Sequence, residues 1–176
     1  MFDTVLIAGL GLMGGSMAKT IKARTLSRVL GWNRTRATAE QALADGSIDA
    51  IATEALYKEA DLVIIGLYPQ ATVDWLLENM PKMKKGCVIV DMVGVKQFMV
   101  DHLEQAALDA GVHYVGGHPM AGREFSGLDF ALPTLFDGAS MIFVPTRSST
   151  ERVLEQLEAY FMSLGFGQTV RCTAQQ

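Results

Sequence analysis

The chain has 176 residues, of which 49% are hydrophobic and 19% charged, and this composition excludes a disordered or low-complexity protein. Its formal net charge of −4 provides no general attraction for nucleic acid, so we expect no nucleic-acid partner. The two cysteines are too few for a disulfide scaffold, which favours a cytoplasmic protein with reduced thiols. No apolar run reaches the roughly 18 residues of a membrane-spanning helix, so no membrane association is expected.

Short apolar runs alternate with segments of helical spacing, and the runs predict strands. They are apolar on both faces, as strands covered by helices on both sides are, and they lie at 4–9, 28–32, 61–67, 86–91, 113–117 and 140–145. Ser148 and Glu151 fit a capping box that opens a helix, Gly165 fits its C-terminal cap, and a last strand is predicted at 166–172. This order predicts one α/β domain over residues 1–176, a Rossmann-type doubly wound, mostly parallel sheet with helices on both faces.

The first predicted strand runs directly into a GxGxxG turn at residues 9–14, which opens a helical segment at about 12–24. This context is typical of dinucleotide binding. Gly9 permits the tight turn, Gly11 lets a pyrophosphate approach backbone N–H groups, and Gly14 lets the helix pack closely on the strand. The N-terminus of the helix adds partial positive charge. The alternative is a glycine-rich turn that serves only close packing.

The second strand ends at Asn33-Arg34-Thr35, about 20 residues after the glycines, where NAD-binding proteins carry an acidic residue for the ribose. Asn33 is uncharged and Arg34 can hold a 2′-phosphate, so we predict NADP as the cofactor. In the alternative, Arg34 is a solvated surface charge and NAD binds through Asn33. Residues after the strand at 61–67 are expected to line the nicotinamide side of the cleft, although Tyr68 fits simple packing equally well. The predicted cofactor contacts are Gly9, Gly11, Leu12, Met13, Gly14, Asn33, Arg34, Thr35, Leu67, Tyr68 and Pro69.

Only one of the three histidines has a position that suggests chemistry. His102 falls inside a helical pattern and His113 begins a strand, which favours structural roles for both. His118 is expected just beyond the carboxyl end of a strand, where open α/β sheets bind their ligands. Its imidazole can accept a proton near neutral pH, and from position alone a catalytic role and a turn-stabilising role are equally consistent.

Four segments stand out in chain order: GLGLMGGS (9–16), DLVIIGLYP (61–69), DMVGVK (91–96) and GGHPMAGREFSG (116–127). Together they resemble the prephenate/arogenate dehydrogenase family of tyrosine biosynthesis, most specifically at GGHPMAG. The resemblance implies hydride transfer from the ring carbon bearing the 4-hydroxyl of prephenate or arogenate to the nicotinamide, then loss of CO2 and aromatisation. It also implies that His118 hydrogen-bonds this hydroxyl and takes up its proton, and that no metal takes part.

Two departures from the family pattern affect the substrate side. Many members carry a serine that helps to orient the imidazole where this chain has Gly94, and its role passes to backbone or to Ser126. Lys96 either lies near the substrate or merely opens a helix, and Arg123 either binds an anion or lies on the surface.

The second departure concerns a whole domain. The family's C-terminal helical domain, which dimerises and covers the active site, is not expected within this chain. We therefore expect weak or no turnover from the chain alone and a homodimer for the full-length protein.

Two other functions compete with this prediction. Dehydrogenases of the 3-hydroxyisobutyrate or 6-phosphogluconate kind also pair a GxGxxG turn with Asn-Arg-Thr, but they rely on a lysine rather than on this histidine motif. A non-catalytic NADP-sensing module is the alternative from a different class. Prephenate-dependent reduction of the cofactor would exclude a sensor.

Overall fold

A sheet of eight strands lies at the centre of the computed structural model, which describes residues 2–122 and 125–176. The strands are β1 (Thr4–Ala8), β2 (Arg28–Trp32), β3 (Ala50–Ile51), β4 (Leu62–Ile65), β5 (Val88–Asp91), β6 (His113–Pro119), β7 (Ser140–Val144) and β8 (Gln168–Arg171). They are arranged in the order β3-β2-β1-β4-β5-β6-β7-β8. Every neighbouring pair is parallel except β6 and β7. The predicted α/β class and doubly wound, mostly parallel sheet are confirmed.

Helices connect the strands and cover both faces of the sheet. In the described part of the chain they are α1 (Leu12–Arg24), α2 (Arg36–Ala44), α3 (Glu54–Tyr57), α4 (Pro69–Asn79), α5 (Lys96–Ala110) and α6 (Glu151–Ser163). Val5 and Ile7 of β1 share a core with α1 and α6, whereas Leu6 and Ala8 share the other core with α4 and α5. Because successive side chains of a strand point to opposite faces of the sheet, β1 contributes apolar side chains to the core on each face. None of the described helices is long and apolar enough to cross a membrane.

The start of α6 differs from the prediction. Its N-cap is Thr150, whose side chain accepts a hydrogen bond from the backbone N–H of Val153 at 3.2 Å. Ser148 is buried instead, and its Oγ accepts the backbone N–H of Tyr114 at 2.8 Å. The capping box at Ser148 was therefore wrong, because a threonine two residues later supplies the capping oxygen. Gly165 does follow the helix, with a φ of +103°.

Two strands also differ from the prediction. The sequence predicts no strand at 50–51, because a segment of two residues is too short to show an apolar pattern. In the structure, β3 pairs with β2 there. Strand β6 continues to Pro119, since residues 116–119 pair with the antiparallel β7. His118 therefore lies within the end of β6, opposite Ile142, and not beyond the strand.

The turn after β1 is packed so tightly that two of its glycines admit no side chain. Gly9 has a φ of +93°, and a Cβ there would lie 2.6 Å from the carbonyl oxygen of Gly66 after β4. A Cβ on Gly14 would lie 1.7 Å from the carbonyl oxygen of Gly9. By contrast, a Cβ on Gly11 would meet none of the described atoms within 4 Å. Gly9 and Gly14 thus hold α1 against the sheet, and Gly11 borders open space.

The contrast between these glycines can be tested by alanine substitution. We expect Gly14→Ala to lower the free energy of unfolding by about 3 kcal/mol or more, because its Cβ fits only if α1 moves. Gly11→Ala is the matched control and should stay within about 1 kcal/mol of the wild type. Urea denaturation followed by circular dichroism measures both. Equal losses in the two variants would contradict the packing described.

Candidate functional site

The turn lies at the point where the strand order reverses. Strand β2 flanks β1 on one side and β4 flanks it on the other, and ligands of open α/β sheets bind in the crevice at the carboxyl ends of such strands. The backbone N–H of Gly9 donates to the carbonyl of Trp32 at 2.8 Å, and that of Gly66 donates to Ala8 at 2.7 Å. Helix α1 begins at this crevice with the half-buried Leu12 and Met13 and has no acidic residue in its first turn. Its positive end can therefore receive an anion.

Asn33 connects the end of β2 to the glycine-rich turn. Its Oδ1 accepts the backbone N–H of Leu10 at 2.9 Å, and its Nδ2 donates to the carbonyl of Thr35 at 3.1 Å. Sequence reasoning assigned Asn33 to the ribose and missed this structural role. Its side chain holds the turn in place whether or not a ribose is also bound.

Arg34 and Thr35 are exposed beside Asn33. The described residues give Arg34 no ion pair, whereas the neighbouring Arg36 pairs with Glu40 at 3.4 Å. The guanidinium of Arg34 is therefore available to an anion at the end of β2.

The segment after β4 borders the same crevice. Leu67 packs against the core of the α4 and α5 face, and Pro69 is the first residue of α4, where its missing N–H costs nothing. The side chain of Tyr68 between them is exposed, at 87% of its reference area. Its ring is thus free to meet a ligand and is not packed in the core.

His118 lies half-buried near the carboxyl end of β6, at the same edge of the sheet as the turn. Its Nδ1 is shielded from solvent and has no hydrogen-bond partner among the described residues. Gly94, between β5 and α5, is its neighbour: a Cβ there would lie 3.4 Å from Cε1 of the imidazole. Neither described backbone nor Ser126, which is exposed, takes the place of the family serine at Nδ1. Arg123 lies outside the described residues.

A buried ionic cluster underlies this histidine. The Asp91 carboxylate, at the end of β5, is inaccessible to solvent and accepts hydrogen bonds from the Lys96 ammonium and the Tyr114 hydroxyl. It also accepts the backbone N–H groups of Val93 at 3.2 Å and Gly117 at 3.3 Å. Lys96 therefore does more than open α5: its charge neutralises a buried carboxylate. Sequence reasoning missed Asp91 and Tyr114.

The cluster and the burial together determine the charge of the imidazole. Burial lowers the pKa of His118 below its ordinary value of 6.5, and the positive charge of Lys96 lowers it further against the opposing effect of Asp91. Burial also lowers the pKa of Lys96, although Asp91 counteracts it. Burial raises the pKa of Tyr114 well above 10, so its hydroxyl keeps the proton that it donates. His118 is therefore neutral at pH 7 and can take up a proton.

The other two histidines have structural partners. Nδ1 of His102, on the exposed side of α5, lies 2.8 Å from the carbonyl oxygen of Phe98. Nδ1 of His113 lies 2.7 Å from the carbonyl oxygen of Ser148. Within residues 2–122 and 125–176, no group of three or more His, Cys, Asp or Glu side chains is placed to hold a metal ion.

The buried cluster should dominate the stability of this region. We expect Lys96→Met to lower the free energy of unfolding by about 3 kcal/mol or more, because it leaves the Asp91 carboxylate without its counter-charge. Tyr114→Phe should cost about 1–3 kcal/mol, the loss of one buried hydrogen bond. The control Glu40→Gln, which breaks the exposed pair with Arg36, should cost under about 0.5 kcal/mol. Denaturant titration measures all three, and a Lys96→Met loss no larger than that of the control would contradict the assignment.

Comparison with known proteins identifies relatives of this chain. The model of the family "Prephenate dehydrogenase, nucleotide-binding domain" matches residues 17–168. The chain is 37% identical over 162 residues to the prephenate dehydrogenase of Bacillus subtilis, covering 90% of this chain and 43% of that protein. It spans about half the length of the curated relatives that it matches.

Solved structures share the fold. Synechocystis arogenate dehydrogenase has a TM-score of 0.87 at 26% identity, with 97% of this chain and 60% of that chain covered. The prephenate dehydrogenase from A. aeolicus in complex with hydroxyphenyl propionate and NAD+ has a TM-score of 0.89 at 24% identity, with 99% and 61% covered. The resemblance found in the sequence is confirmed by the family match, which extends over most of the chain. The chain belongs to the family of prephenate dehydrogenase nucleotide-binding domains.

Proposed function

We propose that this chain is the dinucleotide-binding domain of an NAD(P)-dependent dehydrogenase of tyrosine biosynthesis. Its reaction is the oxidative decarboxylation of prephenate to 4-hydroxyphenylpyruvate, or of arogenate to tyrosine. The observation that carries the proposal is the half-buried His118 at the same edge of the sheet as the open turn at Gly11. The family and the names of its relatives support it.

The residues of the turn fit a dinucleotide. The space beside Gly11 is what a pyrophosphate needs to approach the backbone, and the N-terminus of α1 offers N–H groups and positive charge. We assign the nicotinamide side to the segment 67–69, where Tyr68 is exposed. When bound, the cofactor supplies a hydride acceptor. The chain's own residues must then hold the substrate and remove a proton.

His118 is the residue that we assign to the proton. Oxidation of the ring carbon that bears the 4-hydroxyl removes a hydride from carbon and a proton from oxygen, and the imidazole takes the proton. The C–C bond to the ring carboxylate then breaks, its electron pair enters the ring, and CO2 leaves. The ketone oxygen takes up a proton and becomes a phenol. Aromatisation supplies the driving force for this step.

The remaining assignments concern the substrate side and the cellular form of the protein. Because the Lys96 ammonium is occupied by Asp91, we assign to Lys96 an effect on the charge of His118. Gly94 and Ser126 remain proposed neighbours of the substrate.

We further propose a cytoplasmic homodimer, formed through a helical domain beyond the part of the relatives that this chain matches. The partial coverage of those relatives supports this division into two domains.

NADP is the cofactor that we propose. Asn33 brings no negative charge to the end of β2, and its oxygen is already engaged by Leu10. The exposed guanidinium of Arg34 has no competing ion pair in the described residues, so it can form charge-assisted bonds to a 2′-phosphate.

The reaction is tested by prephenate- or arogenate-dependent reduction of NADP or NAD, on this chain and on the full-length protein. We expect His118→Gln to lower turnover by about 10²–10⁴-fold while cofactor affinity is unchanged. His102→Gln, on the exposed side of α5, is the matched control and should leave turnover intact. The lowered pKa of His118 keeps the base unprotonated in mild acid, so the acidic limb of kcat/KM should fall below pH 6.5. Near-normal turnover of His118→Gln in the full-length protein would contradict the proposed role of His118.

The choice of cofactor is tested by Arg34→Ala. We expect the affinity for NADP to fall about tenfold or more, since a charge-assisted bond is lost, while the affinity for NAD changes little. Arg28→Ala is the control, because Arg28 pairs with Glu59 at the opposite end of β2. Isothermal titration with each dinucleotide gives the affinities. A wild-type chain that binds NAD as tightly as NADP would contradict the role of Arg34.

A further inference from the structure

A cavity of about 270 Å³ opens between the end of β2, α3 and α4. Three aromatic side chains line it, those of Trp32, Tyr57 and Trp75, together with the carboxylates of Glu54 and Glu78. The ring centroid of Trp75 lies 5.6 Å from that of Trp32 and 5.6 Å from that of Tyr57, and both pairs are tilted, not stacked. Drug-sized ligands occupy pockets of roughly 300–1,000 Å³, so this cavity suits a smaller molecule.

The cavity is separate from the residues assigned to the dinucleotide. None of the predicted cofactor contacts, all of which lie in the described part of the chain, lines it. The ring of Trp32 packs on the face of the sheet that α4 and α5 cover, whereas α1, which begins at the glycine-rich turn, covers the other face. The carboxylates of Glu54 and Glu78 would also repel a phosphate. A ligand of this cavity therefore differs in charge from the cofactor.

The hydroxyl group of Tyr57 is the polar atom that the protein itself does not satisfy. Tyr57 is only 3% exposed, and its hydroxyl has no hydrogen-bond partner among residues 2–122 and 125–176. Within the same residues, Nδ1 of His118 is the one side-chain nitrogen or oxygen that is both sealed from solvent and without a partner. The Tyr57 hydroxyl is therefore accessible, and it is reached through the cavity that its side chain lines. Such a group binds water or a ligand.

The charges around this hydroxyl are negative. Burial, together with the carboxylates of Glu54 and Glu78, raises the pKa of Tyr57 to about 12, so the hydroxyl stays protonated at neutral pH and both carboxylates lie near it. The ammonium of Lys82 pairs with Glu54 at 2.6 Å. Glu78 has no ion pair in the described part of the chain. The described residues thus supply a counter-charge to one of the two carboxylates.

We propose that this cavity binds a small organic cation with an ammonium head group. The ammonium donates hydrogen bonds to the hydroxyl oxygen of Tyr57 and to the Glu78 carboxylate, and its carbon chain lies against the half-buried Trp32. Tryptophan attracts a cation over its ring face more strongly than other aromatic side chains do. An anion would be repelled, and a neutral molecule would leave Glu78 without a counter-charge. This binding needs neither the cofactor nor the proposed reaction.

Tryptophan fluorescence reports on the cavity directly, because the chain has two tryptophans and both line it. We expect n-butylammonium to change the emission in a saturable manner and to bind about tenfold more tightly than n-butanol, which has a similar shape but no charge. Sodium chloride keeps the ionic strength constant, and isothermal titration gives the same affinities independently. Equal affinities for the amine and the alcohol would overturn the proposal.

Substitutions test the groups that hold the cation. We expect Glu78→Gln to weaken the binding of n-butylammonium about threefold or more, because it removes the uncompensated charge. Tyr57→Phe keeps the ring and removes the hydroxyl, and should also weaken binding about threefold or more. Glu155→Gln is the matched control, since Glu155 is an exposed carboxylate on α6, which covers the opposite face of the sheet. Its affinity should equal that of the wild type.

Thermal denaturation checks that the three variants fold. An unchanged affinity in Glu78→Gln or in Tyr57→Phe would overturn the assigned site. A loss in Glu155→Gln as large as that in Glu78→Gln would mean general attraction to a negative surface and would overturn it as well.

Competition with the cofactor separates this site from the proposed dinucleotide site. At saturating NADP we expect the affinity for n-butylammonium to stay within about twofold of its value without NADP, because the two sites share no residue. Displacement of the cation by NADP would place the cavity in the dinucleotide site and overturn the proposal. If neither NADP nor NAD binds, the proposed function fails, and the titration with n-butylammonium still decides the cation site.

Discussion

The candidate site depends on one buried charge, the carboxylate of Asp91. Its partners come from separate elements, because Lys96 begins α5 while Tyr114 and Gly117 belong to β6. A buried carboxylate strongly destabilises the folded protein unless it is paired with a positive charge and hydrogen-bonded. These elements must therefore meet at the end of β5. The position of His118 at the end of β6 is therefore fixed by electrostatic need as well as by apolar packing.

The cofactor half of the site is built by a different constraint, which is the close approach of backbone to backbone. Gly9, Gly14 and Gly66 bring the turn, α1 and the end of β4 close together: a Cβ on Gly9 or Gly14 would overlap backbone atoms, and one on Gly66 would lie 3.2 Å from the backbone of Gly14. Backbone segments also pack closely beside the histidine, where a Cβ on Gly117 would lie 2.4 Å from the carbonyl oxygen of Asp91. Glycine thus serves close packing at Gly9, Gly14 and Gly117, whereas Gly11, in the same turn as the first two, borders open space that suits a ligand.

The sequence predicts those parts of the protein whose signals are local. Buried parallel strands leave apolar runs between helical segments, so the fold could be predicted. The glycine turn and His118 are each visible within a few residues, so both could be proposed as sites. Tyr114 and Asp91 are 23 residues apart and meet only through the pairing of β5 with β6, which no local pattern reveals. The bond from Asn33 to the turn spans 23 residues in the same way. Thr150 was missed as a cap because Ser148 offers the same chemistry two residues earlier.

His118 has two kinds of neighbour at this end of the sheet, one that is charged and one that has no side chain. The charge of Lys96 acts through space and lowers the affinity of the whole imidazole for a proton, whichever nitrogen receives it. Gly94 has no side chain to place beside the ring, where a Cβ would lie 3.4 Å from Cε1, and Nδ1 has no hydrogen-bond partner among the described residues. Gly94 lies in the short segment between β5 and α5, and Lys96 is the first residue of α5. This short stretch of chain, held in place by Asp91, therefore supplies both the positive charge that acts on the imidazole and the free space beside its ring.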